Sequence, residues 1–340
     1  MHKSCLFIFS FLIFTACQKK NTEIKFPVIR SLTALETKII PDVYIRYPFR
    51  VRLADSSLYL MDLHAVEYYC HQFDYPSMKH IRSFGKRGEA PDELLDAENI
   101  RLKSDGKIWM LDANKGKLSA WAPDVTTQTE QVIFDKELMR VLDFALYTDS
   151  VFFVPDYSGE YRFNKICANG QIIDRYFSIP RDKEMDQPSP IVLSQAWRAF
   201  MDYNPQNGIL AMVTQLGYVL EIYHPDNKEV IAIKIGGYGP PQFTTKEGYA
   251  IPTGIMGYSD VCVGNRYIYA LFWGRTFEDI KHSKEQIEGG CQLEVFDLNG
   301  EPVKKYHLDR NITGFHMDET NNQLIGLDIN SDQPVVVYEL

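Results

Sequence analysis

The sequence predicts an all-β chain folded as a six-bladed β-propeller, its ring closed by an N-terminal strand. Three observations carry this expectation. Aromatic residues are abundant (20 Tyr, 20 Phe and 4 Trp), and no long stretch shows the 3.6-residue period of an amphipathic helix. Short strand-like runs bounded by Asp, Asn and Gly recur along the whole length. One hairpin pattern returns six times, at intervals that suit one propeller blade each.

The clearest hairpin lies at 100–112, where an apolar run from Ile100 meets Asp105-Gly106 and a second run from Ile108 ends on Asp112. An Asp-Gly pair supplies the positive φ that a tight hairpin needs. Variants follow at 51–62, 144–156, 200–212, 261–271 and 315–327. From Leu58 through Ile108, Val151, Ile209 and Tyr267 to Leu324 the steps are 50, 43, 58, 58 and 57 residues. A third strand is expected at 118–121, 161–166, 219–223, 293–297 and 335–338, and a fourth at 303–308 after Asn299-Gly300. The last blade runs out of chain after its third strand, so a segment near 24–32 is expected to close the ring and remove its open edge. Two β-sandwiches would also give short strands and turns, but six in-phase hairpins leave no dividing linker. Two polar stretches break the rhythm: an exposed connection at 181–190, and 275–290, with a short helix at 277–286.

At the N-terminus, Lys3 precedes an apolar run of about a dozen residues, too short to span a bilayer of roughly 30 Å. Phe14-Thr15-Ala16-Cys17 closes the run, and Gln18-Lys19-Lys20-Asn21 turns abruptly polar. This resembles a bacterial lipoprotein signal peptide, in which a cysteine after small residues is lipidated and becomes the new N-terminus. The competing reading is an ordinary signal peptide cut at another small residue. Residues 1–16 are therefore expected as the signal, 17–23 as a lipidated tether and 24–340 as the propeller. Loss of residues 1–16 moves the formal net charge from −9 to −10. Such acidity without a basic block speaks against nucleic acid and against electrostatic adhesion to anionic lipid. The membrane partner is expected to be reached through lipid on Cys17, where each buried methylene contributes about 0.8 kcal/mol. With Gln18 after the cysteine and no acidic cluster at 18–22, the expected place is the outer membrane, facing the periplasm. Cys70, Cys167, Cys262 and Cys291 are widely spaced, with no C-x-x-C pair, and are expected as buried free thiols on strands.

The stretch Ser83-Phe84-Gly85-Lys86-Arg87-Gly88-Glu89-Ala90-Pro91-Asp92-Glu93-Leu94 resembles the G-x-x-G-x-G-P-x-E-F motif of six-bladed, TolB-like β-propeller lipoproteins. Ala90 replaces one glycine and Leu94 the aromatic; a partial echo at 236–243 keeps Gly239-Pro240 and Phe243. The resemblance covers essentially the whole chain and implies architecture alone, since the family lends no catalytic residues. From the residues themselves, the stretch joins one blade to the next, with Leu94 plugging back into the sheet. A phosphate-cradling role is opposed by Glu89, Asp92 and Glu93.

Enzyme constellations are scarce. His64, His71, His80, His224, His282, His307 and His316 form no H-x-H or H-E-x-x-H, and no G-x-S-x-G occurs. His307 and His316 are expected as ordinary surface or half-buried residues of strands. Asp62, Asp112 and Asp156 recur at strand ends, which suggests turn capping. Inner strands of a propeller begin near the central channel, and the residues there are Arg50, Asn99, Asp143, Ala199, Asp260 and Gly314, with Arg198 adjacent. Arg50, Asn99, Asp143, Arg198 and Asp260 are thus expected to converge on one ligand-binding funnel. No catalytic residue, metal site or cofactor is predicted, although Asn99, Asp143 and Asp260 offer oxygen ligands of the type calcium takes. Two readings follow: a binding or scaffolding module for a protein, peptide or glycan, or a metal-dependent, lactonase-like hydrolase. The absence of a hydrolase motif favours binding.

Overall fold

The computed structural model describes residues 23–37, 43–138, 140–180, 188–283 and 287–340; Cys17 and the expected signal segment lie outside the described residues. Six antiparallel sheets form the blades of a propeller. Blade 1 runs Pro48–Ala54, Ser57–Asp62, Tyr68–Asp74, Lys79–Lys86, and blade 2 runs Ala97–Leu102, Ile108–Asp112, Lys117–Trp121, Glu130–Ile133. Blade 3 is Ala145–Leu146, Val151–Pro155, Tyr161–Cys167, Ile172–Ser178, and blade 4 is Ala199–Asn204, Ile209–Thr214, Val219–His224, Glu229–Ile235. Blade 5 holds Tyr258–Val263, Tyr267–Phe272, Gly290–Asp297 and Pro302–Ile312, and blade 6 holds Phe315–Asp318, Gln323–Leu327 and Val335–Glu339. The first strand of each blade is innermost: these strands neighbour one another around the axis, as Ala199–Asn204 neighbours Tyr258–Val263. All six hairpins predicted from the sequence are present.

The Asp105-Gly106 turn is looser than a two-residue hairpin. Only Gly106 takes a positive φ (82°), and the loop closes through Gly106 N–H to Lys103 O at 2.9 Å.

Ring closure uses a different N-terminal segment from the one expected. Leu35–Thr37 pairs antiparallel with Val335–Glu339 and completes blade 6. Val28–Leu32 instead adds to blade 5, parallel to its outer strand, with Val28 opposite Lys304 and Leu32 opposite Leu308. The cause is apolar anchoring. Ile24 and Phe26 pack against the core between blades 4 and 5, and the Phe26 ring meets Phe296 edge-on at 5.3 Å. That contact lays the following residues along the open edge of blade 5, where Ala34 N–H still donates to Asp309 Oδ1 of its outer strand at 3.0 Å before the chain crosses to blade 6.

Apolar residues of facing sheets form the cores. Between blades 1 and 2 these include Tyr59, Met61, Ile100, Met110 and Trp121; burying one such side chain contributes about 1.5–3 kcal/mol. Leu94 is buried in that same cluster, as its plug role requires. Gly85, at φ 69°, leaves space beside it: a Cβ there would lie 2.4 Å from Met110 and 3.3 Å from Leu94. Two helices flank the ring. Phe277–His282 lies where a helix over 277–286 was expected but stops at His282, with Ser283 already extended; Thr276 caps its start, its hydroxyl accepting from Asp279 N–H at 3.0 Å. Pro190–Ala196 was not foreseen; Ser189 caps it, Pro190 occupies its first turn, and it buries Val192, Leu193 and Ala196. Residues 181–187 of the polar stretch before it lie outside the described residues. Among the described residues, no helix is long and apolar enough to cross a membrane.

Candidate functional site

Side chains alternate along a strand, so each inner strand sends every second residue to the axis. A first tier holds Arg50, Asn99, Asp143, Phe200 and Asp260. A second holds Arg52, Arg101, Asp202, Cys262 and His316, two residues further along their strands. In blade 4 the sequence alignment is one residue off. Met201, not Phe200, packs against the preceding blade beside Ala145 and Phe153, as Ile100 packs beside Met61 in blade 2. Phe200 therefore takes the axial position.

Four of the five predicted funnel residues do meet, as a buried brace. Arg50, Asn99, Asp143 and Asp260 are each at most 1% exposed. The Arg50 guanidinium donates to Phe49 O (3.0 Å), Ser259 O (3.0 Å) and Thr313 O (3.3 Å), joining blades 1, 5 and 6. Its Nε lies 3.7 Å from Asp260, and it stacks over the Phe49 and Phe200 rings. Asp260 accepts from Val261 N–H at 3.0 Å and Phe315 N–H at 3.1 Å. Asn99 Nδ2 donates to Asp143 at 2.5 Å, and Asp143 also accepts from Phe144 N–H (2.7 Å) and Met201 N–H (2.8 Å), tying blades 2, 3 and 4. Asp202 closes the circuit to blade 5 by accepting from Val263 N–H at 2.8 Å. Burial pushes the Arg50 pKa down, opposed by Asp260 and Asp143.

Arg198 stands apart. It is half-buried, and its charge falls on Glu98 and Tyr157 at the end of the channel where the inner strands begin. There burial and then Asp96 push Glu98 up to about 7.

A cavity of about 440 Å³ opens at the opposite end, where the inner strands finish. Arg52, Arg101, Asp202 and His316 are its polar inner surface; Leu102, Leu146, Tyr203, Pro205, Val261 and Phe315 are apolar wall; Lys103, Ser104, Thr148 and Asp149 lie around them. Arg101 bridges Asp143 at 3.2 Å and Asp202 at 3.4 Å, and donates to Phe144 O (2.8 Å) and Met201 O. Arg52 donates through Nη1 to Val51 O (2.7 Å) and Phe315 O (3.3 Å); burial, then Arg101, brings it down to about 10. Burial, then Arg52, holds His316 at about 4, so it is neutral at pH 7. Burial raises Asp202. The sequence analysis missed this tier, although Arg50-x-Arg52 and Asn99-x-Arg101 carry it: one step of strand alternation finds both residues.

The oxygen atoms that a calcium ion could take are engaged within the protein. Asn99 Oδ1 accepts from Ile100 N–H at 2.7 Å, and the Asp143 and Asp260 oxygens are turned onto N–H groups, with Arg50 and Arg101 between them. Among the described residues, no three His, Cys, Asp or Glu side chains gather as a metal-ligand set. Asp62, Asp112 and Asp156 do cap turns. Asp62 accepts from Arg46, Tyr47 and His64 N–H, and Asp112 from Leu95, Asn114 and Lys115 N–H. Asp156 accepts from Tyr161 N–H and Asn164. The four cysteines are free and lie on strands, but only Cys70 is fully buried.

A family model described as TolB-like 6-blade propeller-like matches residues 25–320. Among solved structures, a member of the DUF4221 family from Bacteroides vulgatus aligns at 13% identity and TM-score 0.58, covering 94% of this chain and 98% of that one. A protein of Bacteroides fragilis described as exported aligns at 10% identity and TM-score 0.53, covering 93% and 99%. The Pan2 WD40 domain of Neurospora crassa aligns at 10% and 0.52, covering 91% and 94%. Identities this low show the fold alone. No curated protein matches the sequence.

Proposed function

Because the chain belongs to the TolB-like six-bladed propeller family, we propose that it is a binding module, tethered to the cell envelope through lipid on Cys17, that takes one end group of a protein, peptide or glycan partner. The observation that supports this reading is the axial cavity. Its volume of about 440 Å³ suits a single end group, and it combines apolar wall with a few charged groups, the usual make-up of a ligand pocket. The brace beneath it is buried and tied to backbone and to its own ion pairs, with Arg50 Nε held only at ion-pair distance from Asp260, which leaves the second tier as the surface available to a partner. The hydrolase reading has no gathered ligand set among the described residues to rest on.

Thr148 and Ser104 are exposed at the cavity and give a direct test. Thr148→Trp plugs the mouth without entering a core. Thermal-shift screening of the purified chain against short peptides and oligosaccharides should yield stabilising compounds whose effect is lost in this variant. Binding that survives the plug would overturn the reading. Tethering is tested separately: Cys17→Ser should move the folded chain from the membrane fraction to the soluble fraction, and retention on the membrane would contradict the lipid anchor. Protease shaving of intact cells should leave the wild-type chain uncut if it faces the periplasm; rapid loss would place it on the cell surface.

A further inference from the structure

The ions around the axis do not pair off. Three guanidinium groups (Arg50, Arg52, Arg101) face three carboxylates (Asp143, Asp202, Asp260), but the pairing is uneven. Asp260 lies on Arg50 at 3.7 Å, while Arg101 takes both Asp143 at 3.2 Å and Asp202 at 3.4 Å. Arg52 has no carboxylate within ion-pair distance among the described residues, and it is 9% exposed. Both of its hydrogen bonds run from Nη1 to carbonyl oxygens, which leaves Nε and Nη2 without a protein acceptor. Asp260 and Asp202 attract Arg52 only from beyond ion-pair distance, and Arg101 and Arg50 repel it, so this largely buried, incompletely paired cation favours an arriving anion. A guanidinium fork also matches a carboxylate in a bidentate way.

The surroundings restrict the rest of the ligand. Of the cavity's apolar lining, Val261 and Phe315 are 2% and 1% exposed and packed into cores between blades, so the apolar surface open to a ligand lies on Leu102, Leu146 and the ring of Tyr147, whose hydroxyl is committed to Asp226 at 2.6 Å. His316 is neutral there and has no hydrogen-bond partner among the described residues, so one ring N–H can donate to an anion. The acidic groups near the path are themselves engaged: Asp202 by Arg101 and Val263 N–H, and Asp149 by Lys103 at 3.1 Å.

Resting on the binding-module reading above, we propose that the inserted end is a carboxylate on an apolar body, with the carboxylate seated on Arg52 and the body against Leu102, Leu146 and the Tyr147 ring. Two sources share this chemistry: a small hydrophobic carboxylic acid and the C-terminus of a peptide ending in an apolar residue.

Isothermal titration calorimetry on the purified chain separates the possibilities. The probes are 4-phenylbutyrate, its primary amide and 4-phenylbutylamine, together with N-acetyl-Ala-Ala-Phe carrying either a free or an amidated C-terminus. The acid of at least one series should bind tenfold or more tighter than its amide. Arg52→Gln should erase that preference, and Arg52→Lys should retain part of it. Which series binds identifies the source. Equal binding of acid and amide, both lost in Thr148→Trp, overturns the carboxylate assignment and leaves the binding-module reading standing. Failure of every acid to bind overturns the assignment as well, and the peptide and oligosaccharide screen then decides the broader reading by itself. An acid preference that persists in Arg52→Gln also overturns it, because the anion would then sit elsewhere.

Discussion

Single residues in this chain show how burial decides chemistry. His71 is 5% exposed, with Nδ1 held by Ser83 Oγ at 2.8 Å, and burial brings its pKa down from 6.5 to about 4, as it does for His316. The sign follows directly. The unfolded chain takes up these protons near pH 6.5 and the folded chain resists until about pH 4, so stability is full above 6.5 and falls as pH drops toward 4. Each histidine contributes at most roughly 3 kcal/mol to that loss. His71→Gln keeps a polar partner for Ser83 and removes the titration. Thermal melts from pH 7.5 to 4.5 should show a shallower loss for the variant than for wild type; parallel curves would mean that His71 is solvated. The strand-end aspartates were legible from sequence through their local partners, His64 for Asp62 and Asn114 and Lys115 for Asp112, because a carboxylate two or three residues from a free N–H finds it in any fold; their bonds to Arg46, Tyr47 and Leu95, 15 to 17 residues back, were not. The burial of His71 and His316 was not, because it depends on which sheet lies across from them.

Elements were legible where their signal was periodic or local. Six hairpins could be read because each carries two apolar runs around a polar turn. Helix Pro190–Ala196 was missed because seven residues are too few to show a period, although Ser189-Pro190 is a helix-start signal. The segment near 24–32 was placed one blade out and Leu35–Thr37 was not foreseen as the closing strand, because strand pairing is set by where Ile24 and Phe26 find a core, and sequence does not show that. The glycine-rich connection was correctly read as a joint: Leu94 N–H and O bond Lys86 O (2.8 Å) and Gly88 N–H (2.9 Å), folding the loop back onto its own strand. Closure gives this scale its prediction. Deleting residues 23–37 would leave blade 6 with three strands and expose the edge of Val335–Glu339, which is otherwise buried through Tyr338. The truncated chain should melt lower and self-associate in size-exclusion chromatography. A monomer with an unchanged melting temperature would show that the closing strand contributes little.

Across the whole molecule the axis divides into two tiers with different work. The first-tier groups are tied to one another and to backbone of neighbouring blades, as a ring of sheets requires: each blade touches only two neighbours, and these groups reach across the axis to fix all six. Sequence reasoning found this tier because charged residues at strand starts stand out against apolar anchors. It read the tier as a ligand site because hydrogen bonds between blades cannot be seen in one dimension. The second tier, which lines the open cavity, is the one the sequence left unread. The division is tested most directly by urea unfolding of Asp143→Asn, which removes the charge that Arg101 pairs with and that Met201 N–H reports to. Breaking a buried ion pair by neutralising one partner costs about 3 kcal/mol or more. The account predicts a loss of that size in unfolding free energy, with ligand affinity of the folded protein changed less than in Arg52→Gln. Unfolding within about 0.5 kcal/mol of wild type, together with abolished ligand binding, would return the site to the first tier and contradict it.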